Sequence, residues 1–252
     1  MSIKTATLNG VATVEIARPE KKNAITQAMY RDMAAALDAA SADKAVRAVL
    51  ITGQPGIFTS GNDIEDFVQR PAGQASPAFG FMRALMDCEK PVIAAVTGAA
   101  IGIGTTLLLH CDFVYVSDEA RLAMPFVSLG LVPEFASSVL APRVLGRVRA
   151  SEKVLLGEPF SGVDAVDLGI ANAVLPAGEV VPHARRVAER FNALPPGAVR
   201  ETKKLLRRAD RETLLAAIEV EGAVFAERLQ SAEAKEAFSA FFQKRKPDFS
   251  KT

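Results

Sequence analysis

The sequence predicts an α/β fold with largely covered sheets. Three features carry this. Short apolar runs of strand length recur at 47–52, 91–97 and 112–117 without the in–out alternation of a half-exposed sheet. Helix-period segments separate them. Glycines stand where strands hand over to helices, at Gly61, Gly98, Gly102 and Gly104.

The elements follow in order. Residues 3–8 and 11–17 alternate and are joined by Asn9-Gly10, which suits a type I′ hairpin turn. Residues 26–40 read as a helix with Thr26 as N-cap. The run 47–52 is a buried strand ending at Gly53, followed by a glycine-containing loop and a helical stretch through 83–89. Then come a buried strand at 91–97, a turn at 98–104, a helix at 105–110, a strand at 112–117 and a short strand at 122–124. After about residue 134 helices dominate, at 137–145, 148–156 and 162–168, with a short strand at 170–175. From Val180 the chain reads as helical, broken at Pro195-Pro196-Gly197, with Asp210 capping another helix and an apolar stripe of Ala237, Phe238, Phe241 and Phe242 in the last stretch, 232–246. A core over 1–195 and a helical region over 196–252 is the expected organisation.

The balance of charge excludes several partners. With 30 basic and 29 acidic residues in 252, the net charge of +1 gives no global attraction to nucleic acid or to an anionic membrane. Any anionic ligand must be held by a local cluster. Two histidines and two widely separated cysteines give no metal-ligand spacing, so no metal is expected, and Cys88 and Cys111 read as free thiols. The glycine-broken apolar stretch at 91–109 is not a membrane span, no secretory pattern opens the chain, and the last residues are not a peroxisomal tripeptide, so the expected location is the cytoplasm.

Three segments carry candidate chemistry. Phe58-Thr-Ser-Gly-Asn-Asp-Ile64 puts a glycine between strand and helix, which reads either as an ordinary tight connection or as backbone brought close to a ligand. Val96-Thr-Gly-Ala-Ala-Ile-Gly-Ile-Gly-Thr105 lacks the dinucleotide spacing, because Leu107 stands where its last glycine belongs. Its helix N-terminus would instead present N–H groups to a developing oxyanion. Two such loops could each give one N–H to a single carbonyl oxygen. Glu134, in Leu129-Gly-Leu-Val-Pro-Glu-Phe135, reads alone as a solvated acid near a helix start; in an apolar pocket its pKa would rise and it could serve as a general base.

Taken together these segments resemble the crotonase (enoyl-CoA hydratase/isomerase) superfamily along nearly the whole chain. Arg18-Pro-Glu-Lys-Lys-Asn-Ala24, the 58–64 loop, Lys90 to Gly98 with its continuation to Asp112, the 157–174 stretch, and Phe241 with Lys244 occur in the family's order. The resemblance implies a spiral of ββα units, a helical C-terminal region that forms homotrimers or dimers of trimers, and an acyl-CoA thioester as ligand. Coenzyme A would then be part of the substrate, with no separate cofactor. It assigns the thioester oxygen to the N–H groups of Asn62 and Ile103. It lines the CoA groove with Lys22, Ala24, Ser60, Gly61, Asn62, Asp63 and Ile64, adds Gly102 and Phe126 to the substrate site, and gives Phe241 and Lys244 CoA contacts.

The departures from the pattern discriminate between activities. The two glutamates with which hydratases of this superfamily activate water fall at Thr106 and Phe126. Glu134 falls where members similar to peroxisomal Δ3,Δ2-enoyl-CoA isomerases carry their catalytic acid. The resemblance therefore implies isomerisation of a 3-enoyl-CoA, with Glu134 as acid and base in an apolar surround of Phe126, Leu131 and Phe135. Alternatives are hydration, thioester hydrolysis, and a non-catalytic acyl-CoA-binding or RNA-binding member. The basic stretch Lys203, Lys204, Arg207, Arg208 and Arg211 is interleaved with acids and lacks aromatics for base stacking, so it reads as a solvated face or a subunit contact. Asp63 reads as structural, and His110 and Cys111 as core. The loop at 65–81, proline-, glycine- and serine-rich over 71–77, is expected to shape the acyl pocket.

Overall fold

The computed structural model describes residues 2–68 and 76–252. The hairpin forms as expected: β1 (Ile3–Leu8) and β2 (Val11–Ile16) pair antiparallel around Asn9 and Gly10, both at positive φ. Helix α1 (Gln27–Ala42) starts where Thr26 accepts the Met29 N–H at 3.3 Å. Next come β3 (Ala48–Thr52), β4 (Ile57–Thr59), α2 (Ile64–Val68) and α3 (Pro77–Asp87). They lead to β5 (Val92–Val96), β6 (Ala99–Ile101), α4 (Ile103–Thr106), β7 (Phe113–Ser117) and β8 (Arg121–Ala123).

Successive turns of chain give one strand to each of two sheets. The six-stranded sheet has the order β1-β2-β3-β5-β7 and then β10 (Ala173–Leu175), parallel except for the opening hairpin. The four-stranded sheet has the order β4-β6-β8 and then β9 (Phe160–Ser161). This is the ββα spiral that the resemblance implied. The unalternating strands are explained by burial on both faces. Leu50, Ile93, Ala95 and Tyr115 pack under Val180, Ala184 and Ala188 of α8 (Ala177–Glu189). Their neighbours Val49, Ile51, Val92, Ala94 and Val96 face the main core beneath α1 and α3.

The helical half comprises α5 (Ser137–Leu145), α6 (Arg147–Ser151) running into a π-helical turn at 152–156, and α7 (Gly162–Asp167) before α8. It ends with α9 (Pro196–Arg207), α10 (Arg211–Arg228) and α11 (Ala232–Phe242). Cys88 and Cys111 are free thiols. Among the described residues no helix is long and apolar enough to cross a membrane.

Four expectations need correction. The turn at 98–104 contains β6, isolated between Gly98 and Gly102 at φ +76° and +58°, so the helix begins at Ile103 and not at Thr105. Strand β9 was not anticipated; two residues are too few to show a period. Asp210 does not cap α10 with its side chain, because its carboxylate pairs with Arg143 at 2.5 Å. Lys203 is not solvated: it is buried and bonds to Asp112 and to the Lys90 carbonyl, while Arg207 takes the other Asp112 oxygen. Residues 69–75 of the expected acyl-pocket loop lie outside the described residues.

Candidate active site

The two glycine loops meet. Gly61 has φ +93°, and a Cβ there would stand 2.9 Å from the Ile101 carbonyl oxygen. Gly104 lies so close to Thr59 that a Cβ would overlap its methyl group at 2.5 Å. Glycine is required at both positions, at the first by conformation as well as by space. Asn23, buried and itself at positive φ, ties the preceding segment on: its amide donates to the Ile57 and Phe58 carbonyls at 3.1 Å each, and its carbonyl oxygen accepts from Thr59 at 2.7 Å.

The same junction brings Lys22, Ala24 and the 60–64 segment together. The Ser60 N–H donates to the Lys22 carbonyl at 3.1 Å, and Ile25 makes a parallel bridge to Asn62. That bridge uses the Gly61 carbonyl and the Asp63 N–H, each bonded to Ile25. The N–H of Asn62 itself points the other way, without an acceptor among the described residues. Ile103 opens α4, where first-turn N–H groups have no partner within the helix. Phe126 is buried, and its ring edge lies 3.9 Å from where a Gly102 Cβ would be.

Asp63 behaves as a structural residue. It accepts from Arg18 at 2.5 Å and from the Asp66 N–H at 3.0 Å at the start of α2. Burial works to raise its pKa, but these two hydrogen bonds and the charges of Arg18 and Lys21 bring it below the ordinary value. Phe241 and Lys244 stand apart from this cluster. Both are exposed; Phe241 packs edge-on against Phe242, and the Lys244 N–H bonds back to the Phe241 carbonyl. Among the described residues no hydrogen bond or ring contact ties either to the 22–64 segment.

Glu134 is buried, and it faces Asn62. The Asn62 amide donates to Glu134 Oε1 at 3.2 Å, and the Asn62 carbonyl oxygen accepts from the Tyr30 hydroxyl at 2.5 Å. Burial pushes the Glu134 pKa up to about 7; the Asn62 bond opposes this and the charge of Glu221 adds to it. Tyr30 is pushed well above its usual range by burial and by the neighbouring Glu134, so it stays a donor. The positions where a hydratase would carry acids hold Thr106, wholly buried, and Phe126, packed with Met124, Leu131, Phe225 and Phe238. Glu134 is therefore a carboxyl poised near neutrality at one side of the site, with Asn62 between it and Tyr30. Such a group can take and return a proton at neutral pH.

The enoyl-CoA hydratase/isomerase family model matches residues 6–252. The chain belongs to the enoyl-CoA hydratase/isomerase family. The structure of OdaA from Pseudomonas aeruginosa superposes with a TM-score of 0.93 at 52% identity, over 95% of this chain and 98% of that one. A probable enoyl-CoA hydratase of Bacillus subtilis is 31% identical over 95% of both chains. Enoyl-CoA delta isomerase 2 of Rattus norvegicus is 35% identical over 94% of this chain, which spans 62% of the rat protein. Family membership makes this an acyl-CoA enzyme, and the relatives bear both hydratase and isomerase names.

Two residues of the site were not singled out in the sequence. Tyr30 lies in the buried stripe Met29, Tyr30, Met33 and Leu37 of α1, where a tyrosine reads as core. Glu221 left a better signal. It shares the buried face of α10 with Leu214, Ile218 and Phe225, and an acid at that spacing on an apolar stripe must have a partner.

Proposed function

We propose that this protein is a Δ3,Δ2-enoyl-CoA isomerase, with Glu134 as acid and base. The observation that carries the reading is the buried Glu134 carboxyl, its pKa pushed up to about 7, in a site whose water-activating positions hold Thr106 and Phe126. Ionised Glu134 removes a proton from C2 of a 3-enoyl-CoA. The C2–H electron pair moves into the C1–C2 bond, and the thioester oxygen takes the charge, giving a dienolate over C1 to C4. The N–H groups of Asn62 and Ile103 stabilise that oxygen; one such donor is typically worth about 100- to 1000-fold in rate. Protonated Glu134 then delivers the proton to C4, the double bond settles between C2 and C3, and the carbonyl re-forms.

One carboxyl serves both steps because C2 and C4 lie on the same side of the bound chain, and a pKa near the working pH suits a group that must act in both forms. The reaction needs no cofactor, since coenzyme A is part of the substrate. Lys22, Ala24 and the 60–64 segment line the CoA groove, and the helical region, 196–252, assembles trimers or pairs of trimers. Hydration is the second reading, favoured by the Bacillus subtilis relative's name. Paired assays of wild type and Glu134→Gln on 3-hexenoyl-CoA and 2-hexenoyl-CoA decide between them. Isomerisation of the first, lost in the variant, with little hydration of the second, is the expected result. Full isomerase activity in the variant would refute Glu134 as the acid–base, and fast hydration insensitive to Glu134 would refute the isomerase.

A further inference from the structure

We propose that Glu221 is a positioning residue for Glu134, holding in place the backbone turn that presents the Glu134 carboxylate and supplying a like charge behind it. This rests on Glu134 being the group that moves the proton.

The turn after Glu134 is conformationally unusual. Phe135 and Ala136 both adopt left-handed φ, at +65° and +53°, and neither is glycine. L-residues take this conformation in succession only when their surroundings enforce it. The surroundings are visible. On one side His110 Nε2 bonds to the Phe135 carbonyl at 2.7 Å while the imidazole stacks on the Phe135 ring, centroids 3.8 Å apart. On the other side Glu221 reaches in from α10. One carboxylate oxygen accepts from the Ala136 N–H at 2.6 Å; the other accepts from the Ser138 N–H at 2.9 Å and from the Ser138 hydroxyl. Glu134's own carbonyl is held by the Ser137 hydroxyl at 2.7 Å. From Glu134 to Ser138 the backbone has little freedom, and the Glu134 side chain leaves it in one direction.

A helix cap alone does not account for Glu221. Helix α5 does lack a capping side chain at Ala136, and Glu221 fills that role from 85 residues away. The distant acid enforces the left-handed turn and also opposes ionisation of Glu134. The titratable groups around Glu134 are Tyr30 on α1, His110 in the 3-10 turn after α4, and Glu221 on α10; burial keeps the imidazole neutral, with a pKa of about 4. Glu221 is the acidic neighbour: burial raises its own pKa against the bonds from Ser138 and Ala136, and in its ionised form its charge raises the Glu134 pKa.

The test uses Glu221→Gln, isosteric and neutral, with Glu221→Ala beside it. In full-length protein of wild-type oligomeric state, Glu221→Gln should lower kcat about 10- to 100-fold with KM within about twofold, as expected for a displaced reacting group. The acid limb of the pH profile should move to lower pH. Infrared titration of the carboxyl stretch, with the Glu134 band identified by its loss in Glu134→Gln, should show the same downward shift in the free enzyme. A lower melting temperature with kcat, acid limb and band midpoint all as in wild type would reduce Glu221 to a helix cap and overturn the proposal. Because the infrared midpoint needs no substrate, it decides the point even if Glu134 runs a different reaction.

Discussion

Asn62 Nδ2 donates to Glu134 Oε1 across 3.2 Å, joining residues 72 apart in sequence. The same asparagine offers its backbone N–H to the proposed thioester oxygen, so one residue registers the proton acceptor against the oxyanion. The two roles separate on substitution, because Asn62→Ala deletes the amide and keeps the N–H. The amide bond lowers the Glu134 pKa against the effect of burial. Without it the pKa rises, and less of the enzyme holds the ionised base at neutral pH. A hydrogen bond to a charged group is worth about 1.5–3 kcal/mol, so the acid limb of kcat/KM should move up by about one pH unit or more. A pH profile of Asn62→Ala superposable on wild type would show that the amide does not tune the base.

The raised pKa of Glu134 has a consequence for stability. Between the ordinary value of 4.5 and about 7 the folded protein keeps a proton on Glu134 that the unfolded chain releases. This contribution is fully present below pH 4.5, falls away as pH rises, and becomes a constant penalty above pH 7. Converted through linkage, the difference is at most about 3 kcal/mol. Glu134→Gln, which never ionises and still offers Asn62 an acceptor, should gain stability over wild type from pH 4.5 to pH 8. Urea unfolding of both proteins at the two pH values measures the gain, and a constant difference would contradict it.

His110 acts with the opposite sign. Its pKa is lowered from 6.5 to about 4 by burial, against the pull of the Phe135 carbonyl. Between those values the unfolded chain binds a proton that the folded protein refuses, so stability falls as pH falls from 6.5 to 4. The loss is on the order of 3 kcal/mol. Replacing His110 with Gln, which can still donate to the Phe135 carbonyl, should flatten this acid-side decline. An unchanged slope between pH 6.5 and 4 in chemical unfolding would show that the imidazole is not excluded from protonation.

How much of this was legible in the sequence depends on the range of the interaction. The hairpin at Asn9-Gly10 and the Thr26 cap are set by residues within a few positions of one another, and they fall where pattern and turn chemistry put them. Glu134 was visible as a lone acid in an apolar stretch. Its partners were not, since Tyr30, Asn62 and Glu221 approach it from three distant elements, and only folding brings α1, the 60–64 loop and α10 to one point. Lys203 shows the converse. Its neighbours in sequence are charged and suggest a solvated face, yet Asp112, 91 residues earlier, draws it inside.

The contact between the two glycine loops gives a last prediction, with its own control. At Gly61 any L-residue would be strained at φ +93°, and a methyl group would meet the Ile101 carbonyl oxygen at 2.9 Å. Gly61→Ala must therefore push the 60–64 segment away from β6, carrying the Asn62 N–H and amide with it. The strain alone costs on the order of 1–3 kcal/mol, and a displacement near 1 Å at the reacting groups is worth about 100-fold in rate. Gly80 is the contrast. It lies inside α3, and a Cβ there would find nothing within 4 Å. Gly80→Ala should stabilise by about 0.5–1 kcal/mol through reduced entropy of the unfolded chain, without displacing the 60–64 segment. Melting temperature and kcat/KM measured on the pair separate the two cases. If Gly61→Ala matched Gly80→Ala in both, the close approach of the two loops would not be what holds Asn62 against Glu134.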